Sequence, residues 1–360
     1  MNSETIDAAD IRPQYRLQPS LHPTYARLLC AFLRRAGFSW PEILAGTQLD
    51  ADRLQSTGVY LSLAQITRLS RRATKLTGRS WLGYEVGRIT TISTHGVFGH
   101  TAISAPDVRG LFNVIHRFVR LRFTLLGISF EMDGTDCVVR VQELQDWGPA
   151  VREFVLLIIL ATIAQLLETT AADRVLPTEI EWPLPRPAPP VEPEQLLGTR
   201  IIYNAPRFGL RIPATVLDSP CLMADDTLYQ KGLLDCEAQL NRLLRGDTTC
   251  ARVYALLLKH APAYPTLEGV ANTLATSRRT LMRHLEAEGT SYQALLDEAR
   301  KELVAWYLLE TRVPVSQVAE QVGYEDPSNF ARTIRRWFDM TPLELRHSRQ
   351  DPTARLESDG

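Results

Sequence analysis

Apolar residues fall at helical spacing early in the chain. Tyr25, Leu28, Leu29, Phe32 and Leu33 follow one another at short helical intervals and predict a helix that ends near Gly37. The same periodicity predicts helices from Ser62 to Leu76 and from Pro106 to Leu121. The second of these is expected to be capped by Ser104, with Val108, Leu111, Phe112, Ile115, Phe118 and Val119 inward. From Phe123 to Leu144 the texture changes to β-branched runs on either side of Asp133-Gly134, a dipeptide that accepts positive φ, so a tight hairpin is expected. FVLLIILATIAQLL, residues 154 to 167, is apolar on every face but too short to span a bilayer, and Glu153 and Glu168 flank it. It reads as a buried helix. EIEWPLPRPAPPVEPE, residues 179 to 194, is expected to be an extended connector without regular hydrogen bonding, because proline supplies no backbone donor. Short strands follow at Arg200 to Tyr203 and Gly209 to Ile212. Together these features predict an α+β N-terminal domain with a small sheet.

From Ala224 onward the pattern is helical throughout. ADDTLYQKGLLDCEAQLNRLL, ending at Gly246, is one long amphipathic helix, expected to bridge two domains. A weak repeat follows. In TLEGVANTLATSRRTLMRHLEAEGTSY, residues 266 to 292, Thr266 caps a short helix whose inner residues are Leu267, Val270, Ala271 and Leu274. Thr276-Ser277 breaks it and caps a second helix with Leu281 and Leu285 inward, which ends at Gly289. In SQVAEQVGYEDPSNFARTIRRWFDMTP, residues 316 to 342, Ser316 caps, Val318, Ala319 and Val322 face inward, and Gly323 closes the helix. Asp326 caps the next helix, Pro327 stands in its first turn, and Phe330, Ile334, Trp337 and Phe338 face a core. Both copies have the order of a helix-turn-helix.

A helix turns about 100° per residue, so Pro327, Ser328, Asn329, Arg332 and Arg336 point largely away from the Phe330/Ile334/Trp337 stripe. In the first copy Arg279, Met282 and Arg283 hold the corresponding outward positions. Early residues of such a helix reach base edges in a major groove while flanking ones meet phosphate. Asn pairs with adenine and Arg with guanine. Arg335 is expected to be solvated or paired with an acid, Arg278 to serve either phosphate contact or solubility, and Trp337 and Phe338 to pack in the core rather than stack on bases.

This double unit resembles the DNA-binding domain of the AraC/XylS family of bacterial transcription regulators over about residues 250 to 349. Ala319, Gly323, Tyr324, Asp326, Phe330, Arg332, Arg336, Thr341, Pro342 and Arg346 carry the likeness, with Ser277, Arg278, Arg279, Thr280, Leu281 and Arg283 in the first copy. Asp339 departs from it, standing where the family usually has glycine; Asp tolerates the left-handed region, so an intact fold is expected. Residues 22 to 223 resemble the family's arabinose-binding-like sensor domain, through RFGLRIPATVLDSPCLMADDTLY at 207 to 229 and HGVFGHTAISAPDVRGLF at 95 to 112. The resemblance implies an all-α C-terminal domain of two helix-turn-helix units joined by a long helix. It also implies double-stranded promoter or operator DNA as partner, read by Ser277, Arg278, Arg279, Met282, Arg283, Ser328, Asn329, Arg332 and Arg336. A small-molecule effector, such as an amino acid or related compound, activation of transcription, RNA polymerase contact and a homodimer are further implications. The expected division is a flexible tail at 1–21, an effector-sensing and dimerisation domain at 22–223, a linker helix at 224–247, the DNA-binding domain at 248–349 and a second tail at 350–360.

Composition narrows the rivals. The chain of 360 residues has 40 Lys and Arg against 41 Asp and Glu, which excludes a generally basic, DNA-coating protein. Residues 251–350 hold 13 basic against 12 acidic residues, so DNA binding requires Glu286, Glu288, Asp297, Glu298 and Glu302 to face away from the basic side. Five scattered cysteines without metal-ligand spacing read as reduced thiols, and the N-terminus lacks the apolar core of a signal peptide. A cytoplasmic protein with no membrane span is expected. A DNA-repair alkyltransferase fused to this type of domain is the enzymatic alternative, but Pro220-Cys221 is followed by Leu222-Met223 where that chemistry needs a histidine. No catalytic residue, cofactor or metal site is expected, and the spacing of His95 and His100 does not place both on one helical face. Arg117, Arg120 and Arg122 are expected at solvated or ion-paired positions, with anion binding as the alternative. No effector-binding residue is assigned, and a first domain that serves dimerisation alone is the remaining alternative.

Overall fold

A computed structural model describes residues 14–51, 54, 60–79, 81–171, 177–186, 198–245 and 248–348. Their buried apolar residues fall into two clusters. One runs from Leu21 to Cys236 and the other is built mainly from Val253 to Leu345.

The first cluster surrounds the helix Pro149–Thr170 and a five-stranded sheet. The predicted hairpin is present as β3 (Leu126–Asp133) and β4 (Asp136–Glu143), with Asp133 opposite Asp136 and Gly134 at φ 62°. With β5 (Glu179–Trp182), β6 (Arg200–Tyr203) and β7 (Gly209–Pro213) the order is β3-β4-β7-β5-β6; the β5 and β6 pair is parallel and the rest antiparallel. The connector expectation therefore fails at residues 179–182. Prolines begin only at Pro183, and Ile180 and Trp182 alternate inward as a strand requires. Residues 187–194, also within that expectation, lie outside the described residues.

Capping chemistry accounts for the other differences. The helix Val108–Phe118 is capped by Asp107, whose carboxylate accepts the Gly110 N–H at 2.7 Å. Ser104 instead ends a helix, Gly96–Ile103, that apolar periodicity does not signal. The helix Leu63–Thr77 starts from a capping box between Ser62 and Gln65. Residues 14–21, expected within a loose tail, form the helix Gln14–Leu17 and the strand β1 (Pro19–Leu21), which pairs with β2 (Leu61–Ser62). Leu17 is fully buried and belongs to the second cluster, so apolar burial holds this segment in place.

The predicted bridging helix, Asp226–Arg245, lies on the first cluster through Cys236, with Leu233, Leu240 and Leu243 packed alongside. Gly232 faces Thr101 so closely that no side chain would fit between them. Among the described residues, no helix is long and apolar enough to cross a membrane, and no group of three metal-ligating side chains occurs.

Candidate nucleic-acid interface

Each copy of the repeat folds as a pair of helices whose second member shows arginines to solvent. In the first pair, Thr266 caps Leu267–Thr273 by accepting the Gly269 N–H at 3.1 Å. Ser277 caps Arg278–Ala287 by accepting the Thr280 N–H at 3.1 Å, and its hydroxyl also meets the Thr280 hydroxyl at 2.9 Å. Ser277 was expected among the DNA contacts. Its side chain is engaged in setting where the helix begins. Leu281 and Leu285 are buried, while Arg278, Arg279, Met282 and Arg283 are exposed and line one shallow recess. Met282 leaves 41% of its surface in solvent despite being apolar.

Glu286 lines the same recess. The expectation that this acid faces elsewhere is therefore incorrect: it follows Met282 and Arg283 by four and three residues, which places it on their face. Glu288 and Glu302 do face away. Glu288 accepts the N–H groups of Thr249 and Cys250 at 2.8 Å each, at the start of the helix Thr249–Lys259. Burial alone would raise its pKa, but these hydrogen bonds outweigh burial and hold it below the usual carboxylate range. Glu302 is buried.

In the second pair, the helix Val315–Gln321 begins at Pro314 and no side chain caps it, contrary to the expectation for Ser316. Asp326 does cap Pro327–Phe338, accepting the Ser328 N–H at 2.8 Å. Phe330, Ile334 and Phe338 are buried and Trp337 is half-buried, so the aromatic residues serve the core. Ser328, Asn329, Arg332, Arg335 and Arg336 are all exposed. Ser328, Arg332 and Arg336 succeed one another at four-residue steps and share one face. Asp339 ends the helix at φ 53°, ψ 26°, the left-handed conformation expected of it.

The helix Tyr292–Glu310 connects the two pairs. Its Arg300 guanidinium sits 4.9 Å from the ring of Tyr264 and 5.3 Å from that of Tyr324, clasping a residue ahead of the first pair to one in the turn of the second. Tyr324 meets Phe330 edge-on with ring centroids 5.6 Å apart. Gly323, at φ 76°, brings the second turn against the carbonyl of Pro262. The two reader helices are thereby fixed relative to one another by packing as well as by the connecting helix. Sequence periodicity gave no sign of this clasp, because its members are distant along the chain.

Cys221 is buried, and burial together with nearby Asp107 pushes its pKa up to about 11, as suits a packed thiol.

A tandem pair of helix-turn-helix units with basic outer faces, joined to a separate α+β core, defines a DNA-binding regulator of transcription. Residues 37–221 match the family described as the arabinose-binding domain of AraC transcription regulator, and residues 270–348 match a helix-turn-helix domain family. The chain belongs to the AraC family of transcription regulators. It is 27% identical to the ornithine utilization regulator of Pseudomonas aeruginosa over 328 residues, covering 90% of this chain and 95% of that protein. To the HTH-type transcriptional regulator VirS of Mycobacterium tuberculosis it is 39% identical over 154 residues, 42% of this chain and 44% of that one. Among solved structures, the transcriptional regulator CdpR from Pseudomonas aeruginosa aligns with a TM-score of 0.46 and 22% identity, covering 90% of this chain and 98% of that chain.

Proposed function

We propose that this regulator reads operator DNA with both reader helices at once, placing them in successive major grooves on one side of the duplex. The observation that carries the reading is the shared arrangement of two arginine-bearing faces over buried apolar stripes, joined by one helix of 19 residues. At 1.5 Å per residue that helix is about 28 Å long, comparable with the ~34 Å between grooves on one face of DNA once helix widths are added. Arg279, Arg283, Asn329 and Arg332 are assigned to bases, with Ser328 at a base or the adjacent backbone. Arg278 and Arg336 are assigned to phosphate, Met282 to apolar contact, and Ser277 to positioning the first reader.

Division into an effector-sensing and dimerisation domain at 22–223, a linker helix at 224–247 and a DNA-binding domain at 248–349 belongs to the same proposal. So do a homodimer, contact with RNA polymerase, action as an activator in the bacterial cytoplasm, and response to a small metabolite. The name of the ornithine utilization regulator supports a metabolite signal.

Methylation interference on DNA from the gene's own upstream region tests the geometry. Guanines whose methylation blocks binding are expected in two clusters about one helical turn apart on one face, with binding that weakens steeply as salt rises. Guanine contacts on opposite faces of the duplex would sink the proposal.

A further inference from the structure

Inside the first cluster lies a cavity of about 120 Å³. The helices Thr24–Arg35, Leu63–Thr77, Gly96–Ile103 and Pro149–Thr170 enclose it. Among its described lining residues only Tyr25, His95, Arg122 and Thr162 are polar, and none is acidic. The rest is hydrocarbon, including Leu29, Ile66, Phe98 and Ile159.

The polar groups are arranged around one cation. Tyr25 and His95 bond to each other, hydroxyl to Nδ1, at 2.9 Å. Arg122 Nη2 donates to the backbone carbonyl of His95, while its Nε is buried with no hydrogen-bond partner. The Thr162 hydroxyl is likewise buried and unpartnered. Gly96, at φ 57°, leaves room for the guanidinium, since a Cβ there would stand 2.9 Å from Nη2. Burial, then the Arg122 charge, lowers the His95 pKa to about 4; burial, Arg122 and Arg27 do the same to His22. Both imidazoles are therefore neutral at pH 7, and the positive charge of Arg122 has no carboxylate to meet it among the lining groups.

We propose that this cavity is the effector site and that it accepts a small amphipathic monocarboxylate, its carboxylate on Arg122 and Thr162 and its aliphatic or aromatic body in the hydrocarbon interior. This rests on the reading of the first domain as effector-sensing. A void of ~150 Å³ holds benzene, so the body is sized at about six carbons. A free amino acid fits poorly, because its ammonium would be desolvated beside a guanidinium with no acid to pair it. A sugar fits poorly too, since its hydroxyls would outnumber the available partners. Occupancy bears on the helix Leu63–Thr77: Ile66 and Leu69 line the cavity, while Gln65 and Arg68 of the same helix bond to Glu302 in the second cluster.

Calorimetric titration of the full chain with sodium hexanoate, 1-hexanol, L-ornithine and L-arabinose tests the class. Hexanoate is expected to saturate and to bind at least ten-fold more tightly than hexanol, and Arg122→Gln is expected to abolish that preference. The comparison of hexanoate with hexanol on the unaltered protein needs no variant to fold. Equal binding of the two would overturn the carboxylate assignment. Saturation by ornithine or arabinose without hexanoate would overturn the ligand class while leaving an effector-sensing domain in place. Absence of binding by all four would overturn the proposal, and retained binding to upstream DNA would then leave the regulator reading standing.

Discussion

Arg68 and Glu302, one from each apolar cluster, form an ion pair at 2.8 Å with only 4% and 2% of their side chains exposed. Gln65 Nε2 donates to the second oxygen of Glu302 at 2.9 Å, and Arg68 Nε donates to the carbonyl of Thr47 at 3.0 Å. Farther along the same two helices, Arg71 and Glu310 pair at 2.8 Å. The contact therefore joins the cavity-lining helix to the helix that connects the two readers. A buried pair costs desolvation to form, and removal of one partner leaves the other stranded. Glu302→Gln is expected to weaken the docked arrangement by ~3 kcal/mol, whereas Arg68→Met with Glu302→Leu should lie closer to the parent. Hydrogen exchange across residues 63–77 and 292–310 reads this directly: the single variant should lose protection in both helices and the double variant should retain most of it.

On the second reader helix, Arg332 and Arg335 are equally charged and both exposed, but Arg332 stands one turn after Ser328, nearer the N-terminal end that enters a groove, and Arg335 lies almost a turn farther along. Arg332→Ala is expected to weaken binding to the cognate site by ~1–3 kcal/mol and to relax selectivity at one base position. Arg335→Ala should change either quantity by less than about 0.5 kcal/mol. Gel-shift titrations against cognate and scrambled duplexes separate these outcomes, and equal losses on both duplexes for Arg332→Ala would reduce it to a phosphate contact.

Glu286 sits among the arginines of the first reader. Its carboxylate repels phosphate over a distance comparable with the Debye length, ~8 Å at physiological salt. Glu286→Gln is therefore expected to tighten DNA binding several-fold at low salt, similarly on all sequences, with the gain shrinking as salt rises. A fluorescence-anisotropy salt series checks it.

Local signals along the chain carried a large share of this architecture. Periodicity located the helices around Tyr25, Ser62 and Phe330, and Asp133-Gly134 located the hairpin, because each depends on residues a few positions apart. The outward set on the reader helices was equally legible, since the buried residues Leu281, Leu285, Phe330 and Ile334 leave the arginines one side to occupy. Features made by distant residues were hidden. Arg122 reads as a solvated or ion-paired cation until helices from four parts of the chain line a cavity beside it, and nothing near Glu302 in the chain signals that Arg68 will meet it from the other cluster. The helix Gly96–Ile103 leaves little local signal because it is short and carries glycine at both Gly96 and Gly99.

Burial of His95 makes a pH signature. Its pKa is lowered from 6.5 to about 4 in the folded chain, first by desolvation and then by Arg122. Between those values the unfolded chain binds a proton that the folded chain refuses, so stability falls as pH drops through that window and gains nothing further above it. The groups facing the ring, Tyr25 and the Arg122 guanidinium, supply no negative charge to offset this at pH 5. The contribution is on the order of 2 kcal/mol by pH 5. Guanidinium titrations at pH 7 and pH 5 should show it, with a smaller difference in His95→Asn.

Gly289 follows the second helix of the first pair and Gly323 the first helix of the second pair, and the two have nearly the same backbone, φ 78° and φ 76°. Their surroundings differ. A Cβ at Gly289 would meet nothing within 4 Å, whereas one at Gly323 would lie 2.7 Å from the Pro262 carbonyl oxygen and 3.3 Å from the Tyr264 ring. Gly289→Ala therefore carries only the left-handed strain of an L-residue, about 1–2 kcal/mol. Gly323→Ala adds a clash with backbone, which cannot rotate aside, so it should cost more than Gly289→Ala by at least about 1 kcal/mol. It should also push Tyr264 off Arg300 and loosen the clasp that orients the second reader. Thermal melts of the two variants measure the first difference. The second appears as DNA affinity lost by Gly323→Ala at temperatures where the variant is still folded, a loss that Gly289→Ala should not share.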